Sequence, residues 1–144
     1  MGGNFRLDSI QAAGLLVKLD HLEQWSARRR ANAQRYDALL AGCPAVRRPV
    51  IRADNVSIYN QYVIRAERRD ELKAFLAAAG IGSGIYYPLS LHQQPCFAAL
   101  GYRPGDFPQS ERAAAEVLAL PIFPELTGDQ IEYVAEKIRE FYKA

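Results

Sequence analysis

A helical pattern of apolar residues occupies the N-terminal part of the chain and constrains the fold more than any other feature. These residues recur at roughly helical spacing and are Ile10, Ala13, Leu16, Leu19, Leu22, Ala33, Tyr36, Leu39 and Leu40. Asp8 or Ser9 can cap the start of the helix, and Gly42 and Pro44 end it. A helix over residues 8–41 would be roughly 50 Å long at about 1.5 Å per residue, longer than a small compact domain is wide. We therefore expect this helix to bend or to rest with one end on another body.

The rest of the chain carries shorter patterns of both helix and strand. In chain order, the predicted elements are a loop or edge strand (45–56), a strand (57–66), a helix capped by Asp70 (70–79), a strand (81–86), a short helix (95–100), a helix (110–118), an extended segment (120–124) and a last helix that follows a capping box at 127–130. The last helix places Ile131, Val134, Ala135, Ile138 and Phe141 on one face. The patterns predict an α/β domain in which helices pack on one face of a small, mainly antiparallel sheet.

Composition narrows the classes of partner. The 144 residues are 49% hydrophobic and 24% charged, which is typical of an ordinary globular domain. The formal net charge of +2 is too small to favour nucleic acid or a membrane as the partner. The chain lacks the run of roughly 18 apolar residues that a membrane span needs. Its start does not resemble a secretory signal, so we expect a cytoplasmic protein.

Metal binding and nucleic-acid binding both find little support in the sequence. Cys43 and Cys96 lie far apart and form no CxxC pair, and together with His21 and His92 they give no metal-ligand spacing. Reduced thiols are the simpler interpretation of the cysteines, although the sequence allows a disulfide. Residues 28–30 are three consecutive arginines, which we interpret as the solvated face of a helix, with nucleic-acid contact as the alternative.

A self-contained catalytic apparatus is not evident in the sequence. The chain lacks a GxSxG elbow, a P-loop and a GxGxxG motif. Its lysines, Lys18, Lys73, Lys137 and Lys143, lie in predicted helices or in the tail. We expect their amines to be solvated rather than desolvated nucleophiles, and we assign no catalytic residue to this chain.

Functional residue types concentrate in two patches. The first contains Asn4 and Arg6 at the start of the first helix, where an amide, a guanidinium and a helix N-terminus together favour an anion. The alternative is that Asn4 is only a cap and that Arg6 pairs with Asp8.

The second patch is a proline-framed loop over residues 86–95. It contains Tyr86, Tyr87, His92 and Gln94, polar and aromatic side chains that suit a sugar or a nucleotide. The alternative, equally compatible with composition, is a pair of buried tyrosines with bonded hydroxyls beside an exposed histidine.

An ordered series of motifs connects these patches. Residues 4–13 read NFRLDSIQAA, residues 59–65 read YNQYVIR, residues 86–94 read YYPLSLHQQ, residues 105–108 read GDFP and residues 120–127 read LPIFPELT. Each motif is weak alone. In this order, over essentially the whole chain, they resemble the DegT/DnrJ/EryC1/StrS family of pyridoxal-phosphate (PLP) dependent nucleotide-sugar aminotransferases, whose helix motif is GxNxRLDxxQAA.

The resemblance implies the C-terminal domain of a fold-type-I PLP transferase. It assigns residues 1–42 to the long interdomain helix and residues 43–144 to the small α/β domain. It also implies that the PLP-binding N-terminal domain, with its Schiff-base lysine, is absent from this sequence, so that the chain alone would be inactive.

For the intact enzyme, the resemblance implies amino transfer from an amino acid, usually glutamate, to a keto group of a nucleotide-linked sugar. Asn4 matches an asparagine that reaches the PLP phosphate of the partner subunit in a homodimer. Arg6 matches a position that faces the sugar substrate from the same partner.

The resemblance also assigns the second patch to the substrate. Tyr86 and Tyr87 match the substrate-side loop, in which many relatives have histidine where Tyr86 stands. His92 and Gln94 match an LHxQ motif that either contacts substrate or shapes the loop.

Two other classes of function remain open. One is a free-standing, non-catalytic module that binds a nucleotide sugar or a partner, and the other is a nucleic-acid binder built on residues 28–30. Tight binding of a nucleotide sugar would favour the first, and strongly salt-dependent DNA affinity the second. If a large domain normally covers the first helix, its apolar face should be exposed here, with Leu7, Ile10, Leu15 and Val17 as candidates.

Overall fold

A three-stranded sheet and five α-helices make up the described part of the chain, which is residue 3 and residues 5–143 of this computed structural model. The helices are α1 (Ser9–Leu19), α2 (Leu22–Leu40), α3 (Arg69–Ala78), α4 (Pro108–Glu116) and α5 (Gly128–Lys143). The strands are β1 (Val46–Arg47), β2 (Tyr62–Ala66) and β3 (Val117–Leu120). Two short 3₁₀ helices, Leu91–Gln93 and Pro95–Leu100, lie between α3 and α4, so the short helix expected over 95–100 is confirmed.

The sheet is antiparallel throughout, with strand order β1-β2-β3. Its central strand, β2, pairs Arg65 with Arg47 on one side and Ile64 with Leu118 on the other. Side chains of a strand alternate between the two faces, and Ile64 is fully buried whereas Arg65 is only half-buried. The α/β class and the small antiparallel sheet are therefore confirmed.

The core forms where α2, α3 and α5 meet the buried residues of the sheet. At its centre, the rings of Tyr36 and Tyr62 stack with their centroids 5.0 Å apart. Tyr36 donates a hydrogen bond of 3.1 Å to the carbonyl oxygen of Pro121, and Tyr62 donates one of 2.7 Å to Asp37. Burial raises the pKa of both phenols, so each remains a neutral donor whose polar atom is satisfied inside the core.

The last helix follows its predicted pattern. Thr127 and Gln130 form the expected capping box: the amide of Thr127 donates to Gln130 at 3.0 Å, and the amide of Gln130 donates to the Thr127 hydroxyl at 3.3 Å. Four of the five residues predicted to share a face are buried, and the fifth, Phe141, packs against the core from its edge.

The helix predicted over residues 8–41 is interrupted and forms two helices, α1 and α2. Asp20 and His21 separate α1 from α2. The amide of His21 donates to the carbonyl oxygen of Lys18 at 3.1 Å, a bond across three residues that tightens the turn. Asp20 and His21 are both weak helix formers, which favours an interruption at this point.

The start of α3 also differs from its prediction, because Asp70 does not cap it. Arg68 is the N-cap, with a left-handed backbone at φ 49°, and the helix begins at Arg69. The Asp70 carboxylate instead accepts a 2.7 Å hydrogen bond from the Arg69 guanidinium. The side chain that could cap the helix is thus engaged in an ion pair within its first turn.

The predicted strand over residues 81–86 is reduced to an isolated bridge between Gly84 and Ala119. Residues 82–84 are Gly-Ser-Gly and offer little side-chain surface to pack on the sheet.

The boundary between α4 and β3 lies inside the predicted helix over 110–118. The alanines at 113–115 favour helix, but the chain leaves it after Glu116 and enters the sheet at Val117. Sheet pairing places Leu118 in the core with no exposed surface, which outweighs local helix propensity.

α1 contributes no buried residue to the core. Asp8 caps it, as predicted, by accepting a 2.8 Å hydrogen bond from the amide of Gln11. The large apolar side chains expected to be exposed are exposed, and they are Leu7, Ile10, Leu15 and Val17. None of the helices formed by the described residues has both the length and the apolar content that a membrane crossing requires.

Candidate functional site

The Tyr86–Tyr87 pair is held at the edge of the sheet by the bridge that precedes it. Gly84 and Ala119 exchange two backbone hydrogen bonds, of 3.0 Å and 2.7 Å. The Tyr86 ring then folds back over Gly84, where a Cβ atom would lie 2.8 Å from the ring carbon Cε2. Glycine at position 84 therefore permits the close approach that orients the Tyr86 ring.

Tyr86 and Tyr87 are both exposed, with 50% and 73% of their surface accessible. The alternative of two buried tyrosines is therefore wrong. Their rings meet edge to face, with centroids 6.2 Å apart. Two phenols thus stand free at the surface, in a position to contact a ligand.

A polar cleft of about 360 Å³ lies on one side of Tyr86. Its lining combines side-chain amides, a hydroxyl and the sheet edge, from Asn60, Gln61, Gly82, Ser83, Gly84, Tyr86, Ala119, Leu120, Pro121 and Ile122. Asn60, Gln61 and Ser83 line this cleft although they were not predicted from the sequence as site residues. Two adjacent amides directly before a strand were the available signal.

A turn before β2 precedes the two amides. Tyr59 has a left-handed backbone, with φ 47°, and its amide donates to the Ser57 hydroxyl at 3.1 Å. The turn lies immediately before Asn60 and Gln61, which line the polar cleft.

A second cleft, of about 250 Å³, lies on the other side of the tyrosine pair and is called the Tyr87 cleft below. Its walls come from the tyrosine loop, the first 3₁₀ helix and the residue after it, one face of α4 and the start of β3. The lining residues are Tyr86, Tyr87, Leu89, Ser90, Leu91, Gln94, Ser110, Ala113, Ala114 and Val117. Gln94 therefore shares a cleft with Tyr86 and Tyr87, and the structure brings together three of the predicted substrate-binding residues.

His92 faces away from solvent, with 7% of its side-chain surface accessible. Its Nε2 atom lies 2.9 Å from the Glu111 carboxylate, and its ring packs on Phe107 with centroids 4.8 Å apart. The alternative of an exposed histidine is therefore wrong. Because an ionised carboxylate only accepts hydrogen bonds, Nε2 carries a proton in this pair.

Glu111 also accepts from the amide of Gly105, at 2.8 Å and 3.0 Å to its two oxygens. This backbone hydrogen bond, together with the contact from His92, holds the pKa of the Glu111 carboxyl below its ordinary value, against a smaller opposing effect of desolvation. Beyond His92, an aromatic hollow of about 400 Å³ opens between Phe97, Tyr102 and Phe107.

The first predicted patch is only partly described. Asn4 lies outside the described residues, so its position stays a prediction. Arg6 is exposed, and among the described ion pairs none joins it to Asp8, whose carboxylate caps α1 instead.

The lysines of the described residues lie on helices or near the C-terminal end of the chain. Lys18 and Lys143 are exposed, Lys73 is half-buried on α3, and Lys137 donates to Glu140 at 2.7 Å. No lysine lines the polar cleft or the Tyr87 cleft. In residue 3 and residues 5–143, no cluster of three or more His, Cys, Asp or Glu side chains is placed to hold a metal ion.

The arginines at 28–30 differ in exposure. Arg28 is exposed, as a solvated helix face predicts, whereas Arg29 and Arg30 are half-buried on α2. Cys43 and Cys96 are both free thiols, buried and exposed respectively.

Comparison with known proteins matches the chain to a family over most of its length. The sequence profile of the DegT/DnrJ/EryC1/StrS aminotransferase family matches residues 1–139. A "Pleiotropic regulatory protein" of Geobacillus stearothermophilus is 50% identical over 99% of this chain and 39% of its own length. The dTDP-3-amino-3,4,6-trideoxy-alpha-D-glucose transaminase of Streptomyces venezuelae is 40% identical over 97% of this chain and 37% of its own length.

Solved structures agree with the sequence matches. The S. venezuelae DesV structure, in complex with a ketimine intermediate, superposes with a TM-score of 0.93 at 39% identity, over 99% of this chain and 38% of that one. A DegT DnrJ EryC1 StrS aminotransferase from Brucella abortus gives a TM-score of 0.88 at 40% identity, over all of this chain and 38% of that one. The chain thus spans 37–39% of the length of these relatives.

Proposed function

The chain belongs to the DegT/DnrJ/EryC1/StrS aminotransferase family and has the fold of the small domain of fold-type-I PLP transferases, and from this premise we propose that it is the substrate-side portion of a nucleotide-sugar aminotransferase. The reaction we propose for the whole enzyme is transfer of an amino group from an amino acid, with glutamate as the donor, to a keto group of a nucleotide-linked sugar.

The observation that carries this proposal is the match to DesV along 99% of the chain at a TM-score of 0.93. A match of that extent includes the tyrosine loop as well as the core. Named sugar transaminases recur among the relatives, such as the UDP-2-acetamido-2-deoxy-3-oxo-D-glucuronate aminotransferase of Pseudomonas aeruginosa, at 36% identity over 93% of this chain.

In this proposal, the exposed phenols of Tyr86 and Tyr87 contact the sugar, with Gln94 beside them in the Tyr87 cleft. Free hydroxyl and amide groups on a rigid sheet edge are suited to the hydroxyls of a sugar. The amides of Asn60 and Gln61 extend the same contact surface into the polar cleft.

The cofactor of the proposed enzyme is PLP, which when bound supplies the electron sink for amino transfer. Since no lysine lines either cleft, we propose that the Schiff-base lysine and most PLP contacts belong to a large domain that corresponds to the remaining length of the relatives. Asn4 would reach the PLP phosphate of a partner subunit, and Arg6 the sugar in that same subunit, which requires a homodimer.

The test of this proposal begins with the reading frame that contains the chain. The protein encoded by the whole frame should bind PLP and convert a dTDP-linked or UDP-linked keto sugar to the amino sugar, with glutamate consumed in equal amount. Replacement of Tyr87 by phenylalanine should raise KM for the nucleotide sugar with a smaller effect on kcat. A whole-frame protein that lacks a PLP-binding domain would contradict the enzyme.

A non-catalytic role is the second candidate. The relative named "Pleiotropic regulatory protein", at 50% identity, favours it. In that case the chain would bind a nucleotide sugar or a protein partner through the same tyrosine loop without turnover. Binding of dTDP-glucose to a whole-frame protein that shows no amino transfer would support this candidate over the enzyme.

A further inference from the structure

The Glu111 cluster, formed by Glu111, His92 and Gly105, lies beside the Tyr87 cleft but does not line it. The His92 and Glu111 side chains are partly buried, and Gly105 is exposed. Glu111 belongs to α4, His92 to the first 3₁₀ helix, and Gly105 to the loop that leads into α4. The Glu111 carboxylate therefore joins α4 both to the loop that precedes it and to the first 3₁₀ helix, which lies earlier in the chain, through contacts of 2.8–3.0 Å.

The two segments joined by His92 and Glu111 also line the Tyr87 cleft. The first 3₁₀ helix supplies Leu91, and α4 supplies Ser110 and Ala113. Leu91 is adjacent in sequence to His92, and Ser110 is adjacent to Glu111. The 2.9 Å contact between His92 and Glu111 therefore ties together the two segments that carry these wall residues.

We propose that the Glu111 cluster positions the wall of the Tyr87 cleft, and that His92 is a positioning residue that does not itself contact substrate. This inference rests on the proposed function for its consequence in sugar binding, whereas its structural claim is independent of that function. The His92 side chain has 7% of its surface accessible, its Nε2 is engaged and one ring face packs on Phe107. The surface that it does present borders the aromatic hollow and not the Tyr87 cleft.

Gly105 supports the same interpretation. Its backbone is left-handed, with φ 98°, a conformation that side chains rarely tolerate, and its amide points at both oxygens of Glu111. Charge-assisted bonds of this kind are stronger than neutral ones, and they compete well with water when partly buried. The Glu111 side chain has 22% of its surface accessible, so its carboxylate is partly shielded from water.

The test compares four variants of the 144-residue chain by amide hydrogen exchange, followed by NMR. Glu111→Gln removes the charge, His92→Leu removes the donor, and His92→Gln keeps an N–H donor at similar reach. His21→Leu is the matched control, since His21 is exposed and stacks only on Trp25, at 5.6 Å between centroids.

Two backbone amides report the result. The Gly105 amide donates to the Glu111 carboxylate, and the Gln94 amide donates to the Leu91 carbonyl oxygen. We expect Glu111→Gln and His92→Leu to speed exchange of both amides about tenfold, the loss of one such bond, while the β2 amides keep wild-type protection. His92→Gln should recover most of the protection, and His21→Leu should match wild type.

Unchanged Gln94 exchange, a uniform rise that includes β2, or a His92→Gln variant as impaired as His92→Leu would each overturn the proposal. Titration with dTDP-glucose, followed by tyrosine ring signals, then separates this inference from the proposed function. If the wild-type chain does not bind the probe, the proposed sugar contact fails while the exchange result stands. If it binds, His92→Leu should weaken the affinity about tenfold and His92→Gln should restore it.

Discussion

Arg69 of α3 donates a hydrogen bond of 2.8 Å to the carbonyl oxygen of Val117, the first residue of β3. The same guanidinium donates to the carbonyl oxygen of Ala114 at 3.0 Å and to Asp70 at 2.7 Å. With 8% of its surface accessible, Arg69 satisfies carbonyl groups on either side of the boundary between α4 and β3. The chain can therefore leave the helix at Glu116 without burying unpaired carbonyl oxygens.

Replacement of Arg69 by methionine should lower the free energy of unfolding by roughly 2–4 kcal/mol, because it leaves two carbonyl oxygens without their donor while keeping the aliphatic bulk. Urea denaturation followed by circular dichroism measures this. Arg68→Met is the control: Arg68 is exposed and pairs with Glu71, so its midpoint should stay close to wild type. Equal midpoints for the two variants would show that the buried bonds contribute nothing.

Helix patterns in the sequence were the most informative part of the prediction, and the element boundaries the least. The α5 stripe and its capping box depend on residues a few positions apart, so the sequence contains both partners of each contact. The boundary at Val117 depends on pairing with β2 and on Arg69, which lies 48 residues away. Such contacts cannot be read from local periodicity.

The candidate site shows the same division. The tyrosine loop was assigned to the substrate by the family resemblance, whereas its composition left exposed and buried tyrosines equally open; both rings are exposed. The burial of His92 was not predicted, because its partner Glu111 lies 19 residues further along the chain. The polar cleft was missed for the same reason, since Asn60 and Tyr86 meet only through the sheet edge.

Replacement of Gly84 by alanine should displace the Tyr86 ring. A Cβ atom at Gly84 would lie 2.8 Å from ring carbon Cε2 and 3.0 Å from the hydroxyl oxygen, closer than side-chain contacts allow. We expect shifted NMR signals of the Tyr86 ring and weaker binding of dTDP-glucose. Gly82→Ala is the matched control, because Gly82 lines the same cleft and nothing lies within 4 Å of its added Cβ. If both variants leave the ring signals in place, the ring is not held by Gly84.

Acidification should release the loop that Glu111 holds. Since the folded-state pKa of Glu111 lies below its ordinary value of 4.5, its stabilising contribution is complete above that pH. The contribution is lost as pH falls through the lowered pKa, because the protonated carboxyl accepts less strongly from Gly105. The Gly105 amide shift, followed by NMR from pH 7 down to the acid limit of the fold, measures this loss.

Two control variants assign that transition to its group. Glu111→Gln should remove the acid transition from the Gly105 amide shift. Asp106→Asn should leave it in place, although Asp106 accepts a hydrogen bond from the Arg103 amide in the same loop at 2.8 Å. If the transition persists in Glu111→Gln and disappears in Asp106→Asn, then Asp106, and not Glu111, is the carboxylate that holds the loop.

The exposed face of α1 should make the isolated chain self-associate. Ile10 and Val17 are seven residues apart and therefore share a helix face, with 87% and 69% of their surface accessible. An apolar face of this kind is unfavourable in water unless it is covered. Sedimentation velocity should show a mass that rises with concentration, and the double variant Ile10→Lys, Val17→Lys should shift the chain toward monomer.

The control for this experiment places the same charges elsewhere. Val50 and Val56 are as exposed as the α1 residues, with 90% and 82% of their surface accessible, but they lie in the segment between β1 and β2. If α1 is the associating surface, Val50→Lys, Val56→Lys should associate as wild type does, because both double variants add the same net charge. If the wild-type chain stays monomeric at every concentration, the exposed apolar face of α1 does not cause self-association. If both double variants shift the chain toward monomer to the same extent, general charge repulsion is the cause of that shift.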